Sequence, residues 1–270
     1  MSKSLLTKIR ERGFVRISAY WGETSAQYLD PDSGEPAGLV GLFGQLLADD
    51  LGVKTEFVNM VWENHIDALL NDQVDISIKH TNTPERAFNV EFTIESILCE
   101  EGRIVILSSN DLKKEADLNQ PHRIISAAMG SSQEVHVRER YPLAQVKILT
   151  NAQETFDAVL KGQADACLHD TKVPGFLSLH KECNILTKDD GKPITAYKDC
   201  AHPCIKPGDQ RFLNWLNSWM AFNKATGKFD RIINEVEVVH KELENLDELS
   251  QDVIRLKIWE EMKFGEIAQI

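Results

Sequence analysis

The chain has 270 residues, 42% of them hydrophobic and 27% charged, a composition typical of a soluble globular protein with one large domain or two ordinary ones. A formal net charge of −12 argues against nucleic acid as a partner, because binding to phosphates requires a basic surface. No apolar run approaches the ~20 residues of a membrane-spanning helix, so no membrane insertion is expected.

The first third of the chain alternates predicted helices and strands. Hydrophobic periodicity predicts a helix over 5–12, a strand over 14–19, a helix over 42–51, a strand over 53–58, a helix from 62, and strands over 74–78 and 103–107. Tyr20 and Trp21 follow the first of these strands. Ligands of open α/β sheets bind beyond the carboxyl ends of the strands, so these aromatics are candidates for the wall of a site. The alternative is that they cover the edge of a core.

A possible anion site follows the strand at 74–78. Thr83 offers an N-cap hydroxyl, Pro84 suits the first helical position, and Glu85 places an acid in the first turn. A helix is therefore predicted to begin where its backbone N–H groups face a crevice, and Arg86 adds a guanidinium suited to a carboxylate. Alternatively, Arg86 pairs with Glu85 or Glu91 on a solvated face.

A second cycle of predicted elements begins near residue 123. It comprises strands over 123–128, 146–149 and 165–170, helices from 131, over 152–160 and over 209–223, and resumed extended structure at 195–197. Ser131 and Glu134 fit the S-x-x-E capping box, so that backbone N–H groups again face a crevice.

Residues 241–270 form a charged segment with a helical pattern. Leu246, Leu249, Val253 and Leu256 recur at a 3-4-3 spacing over about two heptads. This length is too short to indicate a coiled coil, so packing on the body and dimerisation both remain open.

The five cysteines give an odd count and no disulfide framework. Cys200 and Cys204 bracket His202, but the spacing lacks a second pair of ligands, so no metal site is predicted. Isolated buried thiols are expected instead, which favours a reducing compartment.

The order and spacing of these segments resemble those of the type II periplasmic solute-binding proteins, in the branch that binds polar amino acids (family 3). The similarity covers residues 5–240 and is carried by LLTKIRERGFVRIS, LADDLGVKTEFV, W-x3-I-x-ALL-x3-VDI, T-x-T-x-ER, GSSQE, LKGQADACLHD, IKPGDQRFLNWLNSW and KATGKFDRI. The resemblance implies an α/β fold of two lobes joined by two crossover hinge strands, with the ligand clamped between them. The first lobe would hold 1–103 plus 200–240, the second 104–199, and 241–270 would form a C-terminal helical extension.

The resemblance also assigns roles to single residues. Arg86 matches the arginine that grips the α-carboxylate of the ligand, and Asp170 matches the acid that accepts its α-ammonium. Ser132, with the amides around Ser131, matches the hydrogen-bond donors of the second lobe. Trp62 matches the aromatic residue that covers the ligand's side chain.

Some positions depart from the family pattern. Tyr20 stands where binders of basic amino acids carry an acid, so lysine, ornithine and arginine are not the expected ligands. Lys79 and His80 stand where small residues line the cleft, and they would recruit a second anionic group or transfer protons, unless both side chains turn outward. Thr81 and Thr83 would serve as further hydroxyl donors. The expected ligand-binding set is Tyr20, Trp21, Trp62, Lys79, His80, Thr81, Arg86, Ser131, Ser132 and Asp170.

These features favour a solute-binding protein for ABC-type uptake of an amino acid or related small carboxylate, with an ABC permease as a possible partner and no cofactor. An alternative is an enzyme, because GDQRFLNWLNSW, RERYP and Arg103 resemble the cyclohexadienyl (arogenate/prephenate) dehydratases. The position of their general acid is Val173 here, so Lys79, His80 or Lys172 would have to supply a proton. A ligand-sensing domain signalling through 241–270, or dimerising through it, is a third possibility. The expected compartment is the periplasm if the chain is processed and the cytoplasm otherwise, since residues 1–14 lack a signal-peptide core.

Overall fold

The structure is a computed structural model, and it describes residues 3–21, 27–30, 33–170, 173–234 and 236. The described chain has the predicted α/β class and divides into two compact units. Unit 1 comprises Met1–Leu98 together with the described residues from Cys200 onward, and unit 2 comprises Cys99–Asp199. The predicted extension at 241–270 lies outside the described residues.

Unit 1 begins with alternating helices and strands. In chain order these are α1 (Leu5–Arg12), β1 (Phe14–Ala19), β2 (Tyr28–Leu29), β3 (Pro36–Ala37), α2 (Gly38–Leu51), β4 (Lys54–Asn59), α3 (His65–Leu70), β5 (Ser77–Thr81), α4 (Pro84–Asn89) and β6 (Glu91–Phe92). A 3-10 turn, Trp62–Asn64, precedes α3. The chain passes into unit 2 at the start of β7 (Leu98–Leu107).

Unit 2 contains the second cycle of elements. After a 3-10 turn (Glu115–Leu118) these are β8 (Ile124–Ala128), α5 (Ser132–Arg140), β9 (Gln145–Leu149), α6 (Ala152–Leu160), β10 (Ala166–His169), α7 (Val173–Leu179) and β11 (Cys183–Ile185). The chain returns to unit 1 within β12 (Tyr197–Ile205) and continues into α8 (Gln210–Ala225), after which residues 228–234 are helical.

Parallel strands organise the sheet of unit 1. Strand β1 pairs in parallel with β4, so that Ala19 lies opposite Asn59. Ile17 forms a parallel bridge to Ile76, immediately before β5. The carboxyl ends of β1, β4 and β5 therefore lie at one edge, which is where open α/β sheets bind ligands. The residues of β12 that belong to unit 1 pair with β5 and β6 in antiparallel fashion.

Helices α1, α2 and α8 bury their apolar faces in the core of unit 1. Its fully buried side chains include Ile9, Ile17, Phe43, Leu47, Phe212 and Met220. Burying a side chain of this kind contributes about 1.5–3 kcal/mol relative to leaving it in water. At the end of α2, Asp50 accepts a hydrogen bond from Trp219 Nε1 at 2.8 Å, which links α2 to α8.

The sheet of unit 2 has an apolar core on each face. Strand β8 pairs in parallel with β9 and β10, while β7 pairs antiparallel with β10 and β11. Along β7, Ile104 and Ile106 belong to one core and Val105 to the other. This alternation follows from the pleat of a strand, which points successive side chains to opposite faces.

Three sequence-based expectations are corrected by the structure. The strand predicted over 74–78 is displaced, since β5 begins at Ser77 and includes Lys79 and His80. Trp62 lies in the 3-10 turn and not in the helix that follows. Cys99 and Cys200 are each disulfide-bonded, so the expectation of isolated thiols is wrong for these two residues. Disulfide bonding depends on the distance between cysteines in the fold, which their spacing along the chain does not reveal. Cys167, Cys183 and Cys204 are buried thiols, as expected. Within the described ranges no helix is both long and apolar enough to cross a bilayer.

Candidate functional site

In unit 1, three rings form an aromatic cluster beside β5. The ring of Trp62 lies 4.4 Å from that of His80 and 5.1 Å from that of His65, measured between centroids. The two histidine rings are 5.5 Å apart and nearly perpendicular. His65 Nδ1 lies 3.5 Å from Ser77 Oγ, and Ser77 Oγ lies 2.6 Å from Ser18 Oγ. The ring of His65 thus contacts both His80 and Ser77, and the residues around β5 are a packed arrangement of rings and hydroxyls.

His80 is the most enclosed of the predicted site residues. Only 2% of its surface is exposed, and neither ring nitrogen has a hydrogen-bond partner among the described residues. Burial lowers the pKa of His80 well below its ordinary 6.5. The positive charge of Arg86 lowers this pKa further, and His65 and Lys79 contribute smaller effects in the same direction. The imidazole is therefore neutral at neutral pH, and the positive charge near it resides on Arg86 and Lys79.

The alternation of β5 separates Lys79 from its neighbours. Ser77, Ile78 and His80 are buried, whereas Lys79 and Thr81 are half-buried. Successive side chains of a strand point to opposite faces, so Lys79 and His80 do not lie on the same side of β5. The suggestion that both side chains turn outward is thus wrong for His80.

Arg86 lies in the first turn of α4, as the sequence predicted. Thr83 is the N-cap, and its Oγ1 accepts a hydrogen bond from the backbone N–H of Arg86 at 3.3 Å. Pro84 occupies the first helical position, so the predicted helix start is confirmed. The guanidinium Nη1 donates to the carbonyl of Thr81 at 3.2 Å. Arg86 is therefore anchored to the last residue of β5.

Tyr20 and Trp21 follow β1 at the same edge of the sheet. The Tyr20 N–H donates to Gln27 Oε1 at 2.9 Å, and the Trp21 N–H donates to Asn59 Oδ1 at 3.1 Å. The Trp21 ring makes an edge contact with Phe57, with centroids 5.5 Å apart. Trp21 is thus packed on β4.

In unit 2, the loop after β8 forms the predicted cap of α5. Ser131 Oγ accepts from the N–H of Glu134 at 3.2 Å and donates to the carbonyl of Ala128 at 2.7 Å. Glu134 Oε2 accepts from the N–H of Gly130 at 3.2 Å, so the acid reaches one residue further back than a capping box requires. Ser132, the first residue of α5, is buried.

Asp170 lies at the same edge as this loop, because β10 and β8 are parallel and both end there. Its Oδ2 accepts hydrogen bonds from Gln133 Nε2 at 3.3 Å and from the Tyr197 hydroxyl at 3.2 Å. Gln133 Nε2 also donates to the Tyr197 oxygen at 3.0 Å. These three side chains form a closed triangle of hydrogen bonds.

The Tyr197 ring is held on one face by His136. The two rings are stacked, with centroids 4.5 Å apart and an interplanar angle of 10°. His136 Nε2 lies 2.7 Å from Asp199 Oδ1. Burial and the neighbouring Asp170 charge raise the pKa of Tyr197 well above 10, so its hydroxyl remains protonated and able to donate.

Sequence reasoning missed three residues around Asp170, namely Gln133, Tyr197 and His136. Gln133 lies within GSSQE, so its place beside the capped turn was available as a signal. Tyr197 and His136 carried no such signal, because the contact of Tyr197 with Asp170 and the stacking of His136 on Tyr197 join residues that are far apart in the chain.

Three residues bear on the possibility of dehydratase chemistry: Val173, Arg103 and Lys172. Val173 is 1% exposed and belongs to a core of unit 2 with Phe156 and Phe176. Arg103 donates to Thr195 Oγ1 at 2.6 Å and to Glu101 Oε2 at 2.8 Å. Lys172 lies outside the described residues.

Comparisons with known proteins agree on one family. The family model of the bacterial extracellular solute-binding proteins, family 3, matches residues 22–236. The ABC transporter glutamine-binding protein GlnH of Bacillus subtilis (strain 168) is 27% identical over 208 residues, covering 75% of this chain and 73% of GlnH.

Two solved structures extend this similarity. The ancestral amino acid-binding protein AncCDT-1, a precursor of cyclohexadienyl dehydratase, is 28% identical with a TM-score of 0.73, covering 86% of this chain and 99% of AncCDT-1. A putative binding component of an ABC transporter from Wolinella succinogenes, complexed with lysine, is 25% identical with a TM-score of 0.67, covering 83% and 95% of the two chains.

Proposed function

Because this chain belongs to the bacterial extracellular solute-binding proteins, family 3, we propose that it binds an amino acid or related small carboxylate and delivers it to an ABC-type permease outside the cytoplasm. The observation that carries the proposal is the family match over residues 22–236, which spans both Arg86 and Asp170. GlnH, a component of an ABC transporter, supports the transport role.

The charged residues suit the two ends of an amino acid. Arg86 would bind the α-carboxylate, because its guanidinium offers paired donors at the end of β5. Asp170 would accept hydrogen bonds from the α-ammonium, with Ser131 and Ser132 at the same edge of unit 2 contributing polar groups to the carboxylate. Each charge–charge contact strengthens when water is excluded around the ligand.

The side-chain preference would come from unit 1. Trp62 offers an apolar face, while Lys79 and Arg86 supply positive charge near His80. Tyr20 and Trp21 follow β1 at the edge of the sheet and add aromatic surface. We therefore expect a ligand whose side chain is neutral or anionic rather than cationic.

Two measurements test this function. Mass spectrometry of small molecules released from the purified protein identifies any retained ligand. A thermal-shift panel of L-glutamine, L-glutamate, L-aspartate, L-cysteine, L-lysine and L-arginine then ranks affinities, because binding to the folded state stabilises it by RT ln(1 + [L]/Kd). A rise in melting temperature with one neutral or acidic amino acid supports the proposal. Tightest binding of lysine or arginine contradicts the side-chain preference, and no response to any amino acid contradicts the function.

An enzyme remains the second candidate, since AncCDT-1 is a precursor of cyclohexadienyl dehydratase. The buried Val173 at the acid position argues against that activity, because valine cannot donate a proton. Lys79, at a half-buried position of β5, is a candidate for a different general acid among the residues that the structure describes. Incubating the protein with prephenate and arogenate distinguishes the two, since a binder leaves both compounds unchanged. If product forms, Lys79→Met should abolish turnover and retain some binding.

A further inference from the structure

Trp62 is the accessible member of the aromatic cluster beside β5. It is half-buried, whereas His65 and His80, the two rings that it contacts, are only 1% and 2% exposed. Of the three rings, Trp62 is therefore the one that a ligand can reach. The two histidines are enclosed beside it, so any effect that they have on a ligand must pass through the indole.

His65 holds Trp62 at two points. The backbone N–H of His65 donates to the carbonyl of Trp62, and the imidazole lies against the indole with centroids 5.1 Å apart. His65 Nδ1 lies 3.5 Å from Ser77 Oγ, which in turn lies 2.6 Å from Ser18 Oγ. Because Ser18 belongs to β1 and Ser77 to β5, this chain of contacts ties the indole to two strands of unit 1.

His80 supports the indole from β5. The two rings are tilted by 32° with centroids 4.4 Å apart, a close aromatic contact. The backbone of His80 is fixed by strand pairing, since it lies opposite His202 in β12. Neither ring nitrogen of His80 has a hydrogen-bond partner within the described ranges. His80 therefore offers Trp62 a flat ring to pack on, and His65, 5.5 Å away, completes the support.

We propose that His65 and His80 are positioning residues for Trp62: together they set the plane of the indole on which the side chain of the bound amino acid packs. This inference rests on the proposed function, in which Trp62 offers an apolar face to that side chain. Neither histidine touches the ligand in this account. Their effect is to order the indole before the ligand arrives, so that binding does not have to meet the entropy cost of ordering it.

The role predicts an effect that depends on the ligand's side chain. An indole that loses one of its supports can rotate, so a long side chain loses the surface on which it packs. The contacts proposed for the α-carboxylate involve Arg86 and not the indole. L-alanine, whose side chain is a single methyl group, should therefore be little affected. A residue that merely stabilised unit 1 would instead weaken all amino acids equally.

The test replaces the ring of His80. His80→Leu removes the flat ring without breaking a hydrogen bond of that ring, and His80→Phe keeps a flat ring in its place. His202→Leu is the matched control, because it removes a histidine from the neighbouring strand whose ring contacts Phe92, with centroids 6.4 Å apart. The probes are L-alanine and the amino acid that binds wild type best. Calorimetry measures their affinities, or ligand-observed NMR where binding is weak.

His80→Leu is expected to weaken the best amino acid by about 5-fold, within the cost of ordering one side chain. L-alanine should change less than 2-fold, and His80→Phe and His202→Leu should bind both probes as wild type does. In a Trp62→Leu background, His80→Leu should have no further effect, because it acts through the indole. His65→Leu, measured in the same two backgrounds, decides the matter if His80→Leu lowers the melting temperature too far for binding measurements.

The outcomes separate the two proposals. Suppose that wild type binds an amino acid but His80→Leu leaves its affinity unchanged, weakens L-alanine equally, or has the same effect with and without Trp62. The positioning role is then wrong and the binding function stands. If wild type binds none of the amino acids, the function fails and the positioning role falls with it.

Discussion

The ring of Trp62 covers that of His80 at 4.4 Å, and His80 is buried with no hydrogen-bond partner for either ring nitrogen among the described residues. This pairing makes an ionisable side chain part of the packed interior of unit 1. The free-energy cost of enclosing His80 depends on pH, because burial and the charges of Arg86 and Lys79 all disfavour its protonated form.

The first prediction concerns stability in acid. The pKa of His80 is lowered in the folded chain, so as the pH falls below 6.5 the unfolded chain binds a proton that the folded chain does not. The free energy of unfolding should therefore fall with pH below 6.5, by at most ~1.4 kcal/mol per pH unit from this ring. Urea unfolding of wild type and His80→Leu between pH 5 and 8 measures the contribution of His80 to this pH dependence. The free energy of unfolding of the variant should change less with pH than that of wild type. His122→Gln, which changes an exposed histidine, is the control. Equal slopes for wild type and His80→Leu would contradict the prediction.

The second prediction concerns Arg86. Arg86→Met should weaken the best amino acid ligand by ~2–4 kcal/mol, because it removes the charge and the paired donors proposed for the α-carboxylate. Calorimetry measures the loss, and the melting temperature of the ligand-free protein checks the fold. Arg211→Met, at an exposed position of α8, should bind as wild type does. An unchanged affinity in Arg86→Met would remove this residue from the site.

The third prediction concerns the cap that sets Arg86 in place. Thr83→Ala removes the acceptor for the Arg86 N–H and should cost about 1 kcal/mol of stability. It should also lower ligand affinity, because α4 carries Arg86, whereas Thr83→Ser should restore both. Asn151→Ala removes the equivalent cap of α6 and should lower stability without changing affinity. Chemical denaturation and calorimetry on the three variants give the comparison, and a similar loss of affinity in Asn151→Ala would show that the effect is general.

The fourth prediction concerns the contact between Gly102 and Tyr197. Gly102→Ala should destabilise the protein by about 1–3 kcal/mol, because the new methyl group overlaps the phenol ring. The same change in a Tyr197→Leu background should cost less, since the smaller side chain leaves room. A double-mutant cycle by denaturation measures the difference. Additive effects would mean that the ring is not the obstacle.

Several parts of the fold could be read directly from the sequence. The caps of α4 and α5 were predicted from Thr83 and Ser131, and α6 has the predicted bounds, Ala152–Leu160. In each case the decisive interactions join residues three or four positions apart. Local spacing therefore records them, and periodicity fixes which face of a helix is apolar.

The register of strands could not be read in the same way. The apolar run at 74–78 predicted a strand, yet β5 extends from Ser77 to Thr81 and takes in Lys79 and His80. Pairing with β12 decides this, since His80 lies opposite His202 and Thr81 opposite Ala201. Hydrogen bonds from a distant strand extend β5 past its apolar residues.

By itself, the sequence determined the α/β class, the family and the residue types that could receive a charged ligand, because these follow from local pattern and from motif order. Only the tertiary structure brought Tyr197 to Asp170, 27 residues earlier in the chain, and to Gln133, 64 residues earlier. It also enclosed His80 beneath Trp62. Contacts over such separations depend on how strands pair and helices pack against them, and no spacing along the chain encodes that arrangement.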